Sequence, residues 1–130
     1  MSSPQNYVRA AHDRTGHLWF ATSNGVSRTV DGCATIITVP GFSNARSVAL
    51  GASGAAGAYP AIYVHGTLQG DTEGPGVYRS TDEGTVWERI NDGTHGFGYI
   101  MFVQADSKVF GRVFVATNGR GIFVGEPAQT

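Results

Sequence analysis

The sequence has little lysine, little cysteine and no long apolar run, and each shortage excludes a class of protein. One lysine and eight arginines face ten acidic residues, which gives a formal charge of −1 without the basic cluster that nucleic-acid binders show. The lone Cys33 permits no internal disulfide and cannot bind zinc alone. No apolar run approaches the roughly 20 residues that cross a bilayer. We therefore expect neither a nucleic-acid partner nor membrane insertion.

Cofactor signatures are also missing from the sequence. The four histidines show no zinc-like spacing, and there is no Gly-x-Gly-x-x-Gly, P-loop or Gly-x-Ser-x-Gly motif. We therefore expect no cofactor and no metal. Residues 1–5 lack a charged start followed by an apolar core, so we expect no export signal in this chain.

Glycine and the residues that favour β-strands are abundant instead. Nineteen glycines and many Val, Ile, Phe and Tyr residues, with no long amphipathic segment of period 3.6, are typical of short strands joined by tight turns. The length of 130 residues is that of one domain. The composition therefore predicts an all-β fold.

The pattern Ser80-x-Asp82-x-Gly84-x-x-Trp87 resembles an Asp box, a β-hairpin signature. The Asp side chain accepts backbone N–H bonds within the turn, and Gly supplies a positive φ where the chain reverses. Trp87 then packs against the face of the strand. Asp82 has the chemistry of a general acid or base, but its place in a tight turn favours a structural role.

A weaker copy of the same pattern lies 51 residues earlier. Thr29 stands in the place of Ser80 and Asp31 in the place of Asp82, whereas Cys33 and Ile36 replace the glycine and the tryptophan. We therefore interpret Thr29 and Asp31 as structural residues of a second, decayed Asp box.

Around these turns the strands form units of four, here named A to D. We predict A strands at 6–11, 46–50 and 99–104, B strands at 18–22, 61–67 and 113–117, C strands from 25, 76 and 121, and D strands at 35–39 and 87–90. Four antiparallel strands every 40 to 50 residues are typical of β-propeller blades. We predict one partial propeller domain, 1–130, with blades at about 6–40, 45–92 and 98–125, the last of which lacks its outer strand.

Three blades cannot close a propeller ring, which takes roughly 4 to 8. Two apolar blade faces and one strand edge would remain uncovered. We expect the remaining blades of a longer protein, or other copies of this chain, to cover them.

Four stretches in this order are similar to the end of the xyloglucanases of glycoside hydrolase family 74: 59–64, 77–87, 89–95 and 109–122. The resemblance implies an enzyme, built from two seven-bladed propellers, that is secreted and hydrolyses β-1,4-glucans such as xyloglucan with inversion. It also implies that both catalytic aspartates lie outside this segment. The implied partner is a polysaccharide, and no catalytic residue is assigned here.

Sugar contacts are expected on the face that carries the B–C and D–A connections. There, Asp92, His95 and Phe97 combine an aromatic ring with groups that bind hydroxyls, although Asp92-Gly93 is also a common turn. Asn118 and Arg120 lie on the same face, where Asn118-Gly119 is interpreted as a hairpin turn. Trp19 has the chemistry of a sugar platform, but its apolar strand favours core packing.

Two other functions remain open at this point. The chain is alternatively a non-catalytic propeller module that binds carbohydrate or protein and assembles from several copies, or a purely structural remnant. Because propellers carry many functions, the fold alone does not choose among them.

Overall fold

Within its described residues, the computed structural model contains eleven β-strands in three antiparallel sheets. It describes residues 8–11, 14–22, 24–54, 57–70, 76–90, 100–106, 108–117 and 121–125. Within these ranges there is no helix, and hence none long and apolar enough to span a membrane. The predicted all-β fold is confirmed.

The first sheet contains strands β1 to β4 in chain order. They are β1 (Val8–Ala10), β2 (Leu18–Thr22), β3 (Gly25–Thr29) and β4 (Ile37–Val39). Side chains alternate between the two faces of β2, so that Trp19 and Ala21 are buried while their neighbours are half-buried. This period of two is what a strand with one packed face requires.

The second sheet repeats this order with longer inner strands. It contains β5 (Phe42–Gly51), β6 (Ala61–Leu68), β7 (Gly76–Ser80) and β8 (Glu88–Arg89). The first six residues of β6 are all buried. Both faces of this strand are therefore covered, and the sheet lies between the other two.

The third sheet contains β9 (Ile100–Ala105), β10 (Val113–Thr117) and β11 (Gly121–Gly125), with β10 in the middle. In the part of the chain that the structure describes, no strand pairs with the outer edge of β11.

Strand β5 differs from the sequence prediction at its start. It begins at Phe42, not at residue 46, whereas β6 ends at Leu68, one residue past the predicted strand. The pairing of the two strands shifts register twice, between Phe42 and Asn44 and between Ala45 and Ser47. Bulges let a strand continue past residues that do not fit the regular ladder. The composition of 41–44 is typical of a turn, so the alternation of apolar residues did not predict a strand there.

Two apolar layers hold the three sheets together. The layer between the first and second sheets contains Trp19, Val26, Phe42, Ile62 and Tyr78, among others. The layer between the second and third sheets contains Ala49, Ala61, Tyr63, Val77, Val103, Val113 and Val115. Burial of apolar surface between sheets is thus the main source of cohesion.

Polar contacts join the innermost strands. The backbone N–H of Val103 donates to the buried hydroxyl of Ser47 at 3.1 Å, which joins β9 to β5. Arg9 of β1 donates to the side-chain carbonyl of Gln104 of β9 at 2.6 Å, which joins the first sheet to the third. The first strands of the three sheets, β1, β5 and β9, are therefore neighbours in the fold.

Gly66 lies where β6 comes closest to β5. A Cβ atom there would collide with the carbonyl oxygen of Asn44 and come within 2.9 Å of the Cα of Ala45. At Gly76, its cross-strand partner, the three atoms nearest to an added Cβ all belong to the guanidinium of Arg89. The backbone contact at Gly66 cannot relax without moving a strand.

We expect Gly66→Ala to lower the free energy of unfolding by about 2 kcal/mol, the scale of overpacking in a tight interior. Gly76→Ala is the comparison variant, and it should cost less, about 1 kcal/mol, because the flexible Arg89 side chain moves away and loses its hydrogen bond to Tyr78 while the backbone stays in place. Chemical denaturation measures both changes. Equal effects of the two substitutions would contradict the close-approach argument.

His65 is a buried titratable group on β6, 5% exposed, beside the second layer. Among the residues that the structure describes, its Nδ1 has no hydrogen-bond partner. Burial, with a smaller contribution from the charge of Arg46, lowers the pKa of His65 from 6.5 to about 4. The fold therefore holds this imidazole in its neutral form at neutral pH.

This pKa predicts a stability that depends on pH. The contribution is fully present above about pH 6.5 and is lost as the pH falls to about 4, because only the unfolded chain binds the proton in that window. We expect a loss of about 3 kcal/mol. His65→Gln should show a flatter dependence between these pH values. Parallel curves for the two proteins, measured by denaturant unfolding, would rule out His65 as the source.

Candidate functional site

The turn between β7 and β8 is organised by the side chains of Ser80 and Asp82. The Ser80 hydroxyl donates to the Asp82 carboxylate at 2.8 Å and accepts from the backbone N–H of Gly84 at 2.9 Å. The same carboxylate oxygen accepts from the N–H of Val86 at 2.9 Å. Trp87 closes the turn, since its indole N–H donates to the carbonyl of Gly84 at 3.1 Å.

The turn between β3 and β4 has the same hydrogen bonds with different residues. The Thr29 hydroxyl donates to Asp31 at 2.8 Å and accepts from the N–H of Cys33 at 3.1 Å, and Asp31 accepts from the N–H of Thr35 at 2.9 Å. Serine and threonine each supply a hydroxyl group at the same position, so the two turns have the same pattern of hydrogen bonds.

These contacts fix the protonation of the two turn carboxylates. A backbone hydrogen bond, from Thr35 to Asp31 and from Val86 to Asp82, is the largest cause that lowers the pKa of each carboxyl group below 3.8. Hydrogen bonds to the charged form favour that form. Neither group is therefore a proton donor near neutral pH, and each serves as an acceptor for the turn.

Both turns contain two consecutive residues with positive φ. They are Gly32 and Cys33 in the first turn, with φ of 69° and 78°, and Glu83 and Gly84 in the second, with φ of 64° and 86°. Each turn thus has one glycine and one residue in a strained conformation. Gly84 is also buried against Trp19, because an added Cβ would lie 3.1 Å from the indole ring.

A cluster around Trp19 joins the first and second sheets at the end that carries these turns. The Trp19 ring is fully buried and donates its N–H to the hydroxyl of Tyr59 at 3.0 Å. The guanidinium of Arg28 lies over the Trp19 ring at 4.7 Å and pairs with Glu83 of the next sheet at 2.6 Å. His17 Nδ1 lies 2.8 Å from the Tyr59 hydroxyl. Core packing of Trp19 is therefore confirmed, and Trp19 presents no face to a sugar.

The second interface repeats this arrangement with other side chains. Tyr63 pairs with Arg79 across β6 and β7, as Trp19 pairs with Arg28 across β2 and β3. Phe110, in the connection between β9 and β10, lies under the Arg79 guanidinium at 5.3 Å, in the role of Tyr59. Burial raises the pKa of both tyrosines, so their hydroxyl groups are neutral.

The sequence reasoning missed this cluster, although a signal was present. Arg28 and Arg79 occupy the same position in the two repeats, directly opposite an aromatic residue of the neighbouring strand. An arginine that recurs with a cross-strand aromatic predicts a cation–π pair at each blade interface.

The predicted sugar-contact residues Asp92, His95 and Phe97 lie outside the described residues, and so do Asn118 and Arg120. In the order of the chain, the segment 91–99 follows β8 and precedes β9. Within the described ranges, no group of three or more His, Cys, Asp or Glu side chains is arranged to hold a metal ion.

Comparison with known proteins gives matches to xyloglucanases. The xyloglucanase Xgh74A of Acetivibrio thermocellus is 38% identical over 126 residues, which cover 95% of this chain and 15% of that protein. The oligoxyloglucan-reducing end-specific xyloglucanase of Emericella nidulans is 36% identical over 122 residues, covering 87% of this chain and 14% of that protein. The chain thus spans about 15% of the length of its curated relatives. No protein-family model matches the sequence.

Solved structures of glycoside hydrolase family 74 (GH74) proteins share the fold. A Niastella koreensis GH74 enzyme superposes with a TM-score of 0.84 at 39% identity, covering 98% of this chain and 19% of that one. The GH74 xyloglucanase of Xanthomonas campestris gives 0.84 at 41% identity, with 98% and 17% covered. The YCF48 protein of Cyanidioschyzon merolae, at 22% identity and a TM-score of 0.67, shows the fold alone.

The three sheets are blades of a β-propeller. The predicted family resemblance is also confirmed, since the chain is homologous, over nearly all of its length, to a segment of the GH74 xyloglucanases.

The strained residue of the first turn gives a test of its backbone. Cys33→Gly removes the strain of a positive φ, about 1 kcal/mol or more, at an entropic cost of about 0.5–1 kcal/mol. We expect stability to stay equal or to rise by up to about 1 kcal/mol, whereas the branched Cys33→Val should lower it. Thermal unfolding of both variants under reducing conditions measures this. A clear loss of stability in Cys33→Gly would contradict the strain.

Proposed function

We propose that this chain is part of a polysaccharide hydrolase that cleaves β-1,4-glucan backbones such as xyloglucan. The observation that supports it best is the 38% identity to a xyloglucanase over 95% of the chain. In this proposal the reaction inverts the anomeric centre, which requires two carboxyl groups about 6.5 to 9.5 Å apart with water between them. Both catalytic aspartates lie in other parts of the longer protein.

The described carboxylates support a role outside the catalytic centre. Asp31 and Asp82 accept the hydrogen bonds of their turns. Asp106 likewise accepts from the backbone N–H groups of Lys108 and Val109, at 2.8 and 3.2 Å. A general acid needs a raised pKa and a free approach to the glycosidic oxygen, whereas the pKa of Asp106 is lowered, first by the Lys108 hydrogen bond.

We propose a structural role for the turn residues of both repeats. Ser80, Asp82, Gly84 and Trp87 close one hairpin, and Thr29 and Asp31 close the other. The hydrogen bonds within each turn and the burial of Gly84 support this role. The turns then hold the ends of the strands while the opposite end of each blade faces the substrate.

The contribution of this segment to the enzyme is one wall of the polysaccharide cleft. Asp92, His95 and Phe97 are proposed to contact sugar through hydrogen bonds and ring stacking. The connectivity supports it, because residue 91 follows β8 and β9 begins at Ile100. We propose that these residues act at the end of the blades opposite the hydrogen-bonded turns, where β8 ends and β9 begins.

Further blades, or further copies of the chain, are proposed to cover the outer faces of the first and third sheets. Val8 and Ile37 in the first sheet are each 48% exposed, and Val124 in the third is 53% exposed. Burial of such side chains against a neighbouring sheet is favourable by about 25 cal/mol per Å². The proposed hydrolase acts outside the cell, where its polymeric substrate lies.

The activity test uses the longer protein that contains this segment. We expect it to release oligosaccharides from xyloglucan, with the newly formed anomeric configuration opposite to that of the substrate, as proton NMR during hydrolysis would show. The 130-residue chain alone should bind such oligosaccharides without cleaving them. Hydrolysis by the isolated chain, or retention of configuration by the longer protein, would contradict the proposal.

A further inference from the structure

The second sheet contains one arrangement that the repeat does not require, centred on Arg89. The guanidinium of Arg89 lies over Gly76, where a Cβ would be only 2.6 Å from the central guanidinium carbon. Its Nη1 donates to the hydroxyl of Tyr78 at 3.0 Å, and it lies 5.7 Å from the centre of the same ring. The absence of a side chain at Gly76 therefore makes the space that the guanidinium occupies.

The arrangement lies at the end of the sheet that is opposite the hydrogen-bonded turns. Strand β7 begins at Gly76, and β8 ends at Arg89. The connection from β6 and the segment that leads to β9 both emerge at this end. Arg89 is half-buried, so its side chain is held by the sheet and also reaches the surface.

Comparison with the first sheet indicates that the hairpin does not require this arrangement. Ser27 and Thr38 form the corresponding cross-strand pair there, so neither the ring nor the guanidinium is present. At Gly25, which corresponds to Gly76, the position of an added Cβ lies 2.7 Å from the backbone carbonyl oxygen of Phe42. The hairpin thus forms without the tyrosine and arginine, which are additions to the second blade.

A guanidinium held in this way suits a polyhydroxylated ligand. Arginine has five N–H donors in a rigid plane and no acceptor, whereas sugar hydroxyl and ring oxygens accept hydrogen bonds. Tyr78 is fully buried, and its ring packs edge-on against Phe42 with 5.5 Å between the centroids. Because the buried tyrosine already holds the guanidinium through its hydroxyl, the arginine loses less conformational freedom when a ligand binds.

We propose that Arg89, positioned by Gly76 and Tyr78, is a binding residue for the glucan chain on the ligand side of the second blade. This inference rests on the proposed function and adds to it a residue that directly contacts the polysaccharide. Arg89 contributes to affinity and not to the chemical step.

The experiment titrates the 130-residue chain with xyloglucan oligosaccharides and measures affinity by calorimetry. Arg89→Gln removes the charge, and Gly76→Ala displaces the guanidinium without changing any charged group. Each should weaken binding roughly tenfold, the effect of losing a hydrogen bond to a charged group. Tyr78→Phe should weaken it less, because the ring still supports the arginine. Thr38→Ala, at the corresponding place in the first blade, is the matched control and should bind as the unaltered chain does.

The outcomes separate this inference from the proposed function. If the unaltered chain binds and both Arg89→Gln and Gly76→Ala bind equally well, the role of Arg89 is wrong while the polysaccharide function stands. If the unaltered chain binds no oligosaccharide, the inference fails, while the proposed function is still decided by the activity of the longer protein. Thermal unfolding of each variant identifies a purely structural role, in which stability falls and the affinity of the folded protein is unchanged. Gly76→Ala keeps the test decisive if Arg89→Gln does not fold.

Discussion

The packing of one sheet face against the next is the constraint on which the rest of the structure depends. The second sheet is covered on both faces, and its strand β6 has buried side chains pointing to either side. A β-sheet needs a packed hydrophobic face for independent stability, so these sheets stabilise one another. The same constraint explains why glycine recurs at the close approaches, since Gly66 lets β5 and β6 come within a distance that no side chain permits. The turns, the arginine clusters and the ligand-side end are all positioned by this stacking.

The repeat preserves backbone geometry more strictly than it preserves residues. In the two hairpin turns, the pair of positive φ values is retained while the glycine changes place, from Gly32 in the first to Gly84 in the second. At the interfaces, an arginine beside an aromatic ring is retained while tryptophan is exchanged for tyrosine. Backbone hydrogen bonds and steric limits fix the conformation of the main chain. Different side chains can occupy the same position if they are compatible with that conformation. The additions to one copy, such as Arg89 and Tyr78, are therefore the places to look for function.

Much of the fold could be predicted from the sequence, because strand alternation, glycine turns and the offset of 51 residues all carry a local signal. Strands β2 and β10 lie where the pattern of apolar residues placed them. The extension of β5 back to Phe42 was hidden, since the two register shifts that permit it arise from pairing with β6. Long-range contacts explain the other omissions. Tyr59 is 40 residues from Trp19 in sequence, and no local pattern indicates that the two side chains meet. Residues of the proposed cleft wall, Asp92, His95 and Phe97, remain a prediction.

The partners of the two interface arginines differ, and this difference makes the two junctions respond unequally to ionic strength. Arg28 pairs with Glu83 of the adjacent sheet, whereas Arg79 pairs with Glu88 of its own sheet, at 2.6 Å in both cases. Added electrolyte screens an attraction between partly exposed ions, so it weakens the first junction directly, whereas the described contacts of the second junction are apolar packing, the Arg79–Phe110 contact and the Val103–Ser47 hydrogen bond. A solvent of high salt content would thereby allow the first blade to hinge away earlier than the third. The positions of Glu83 and Glu88 thus determine the order in which the blades separate.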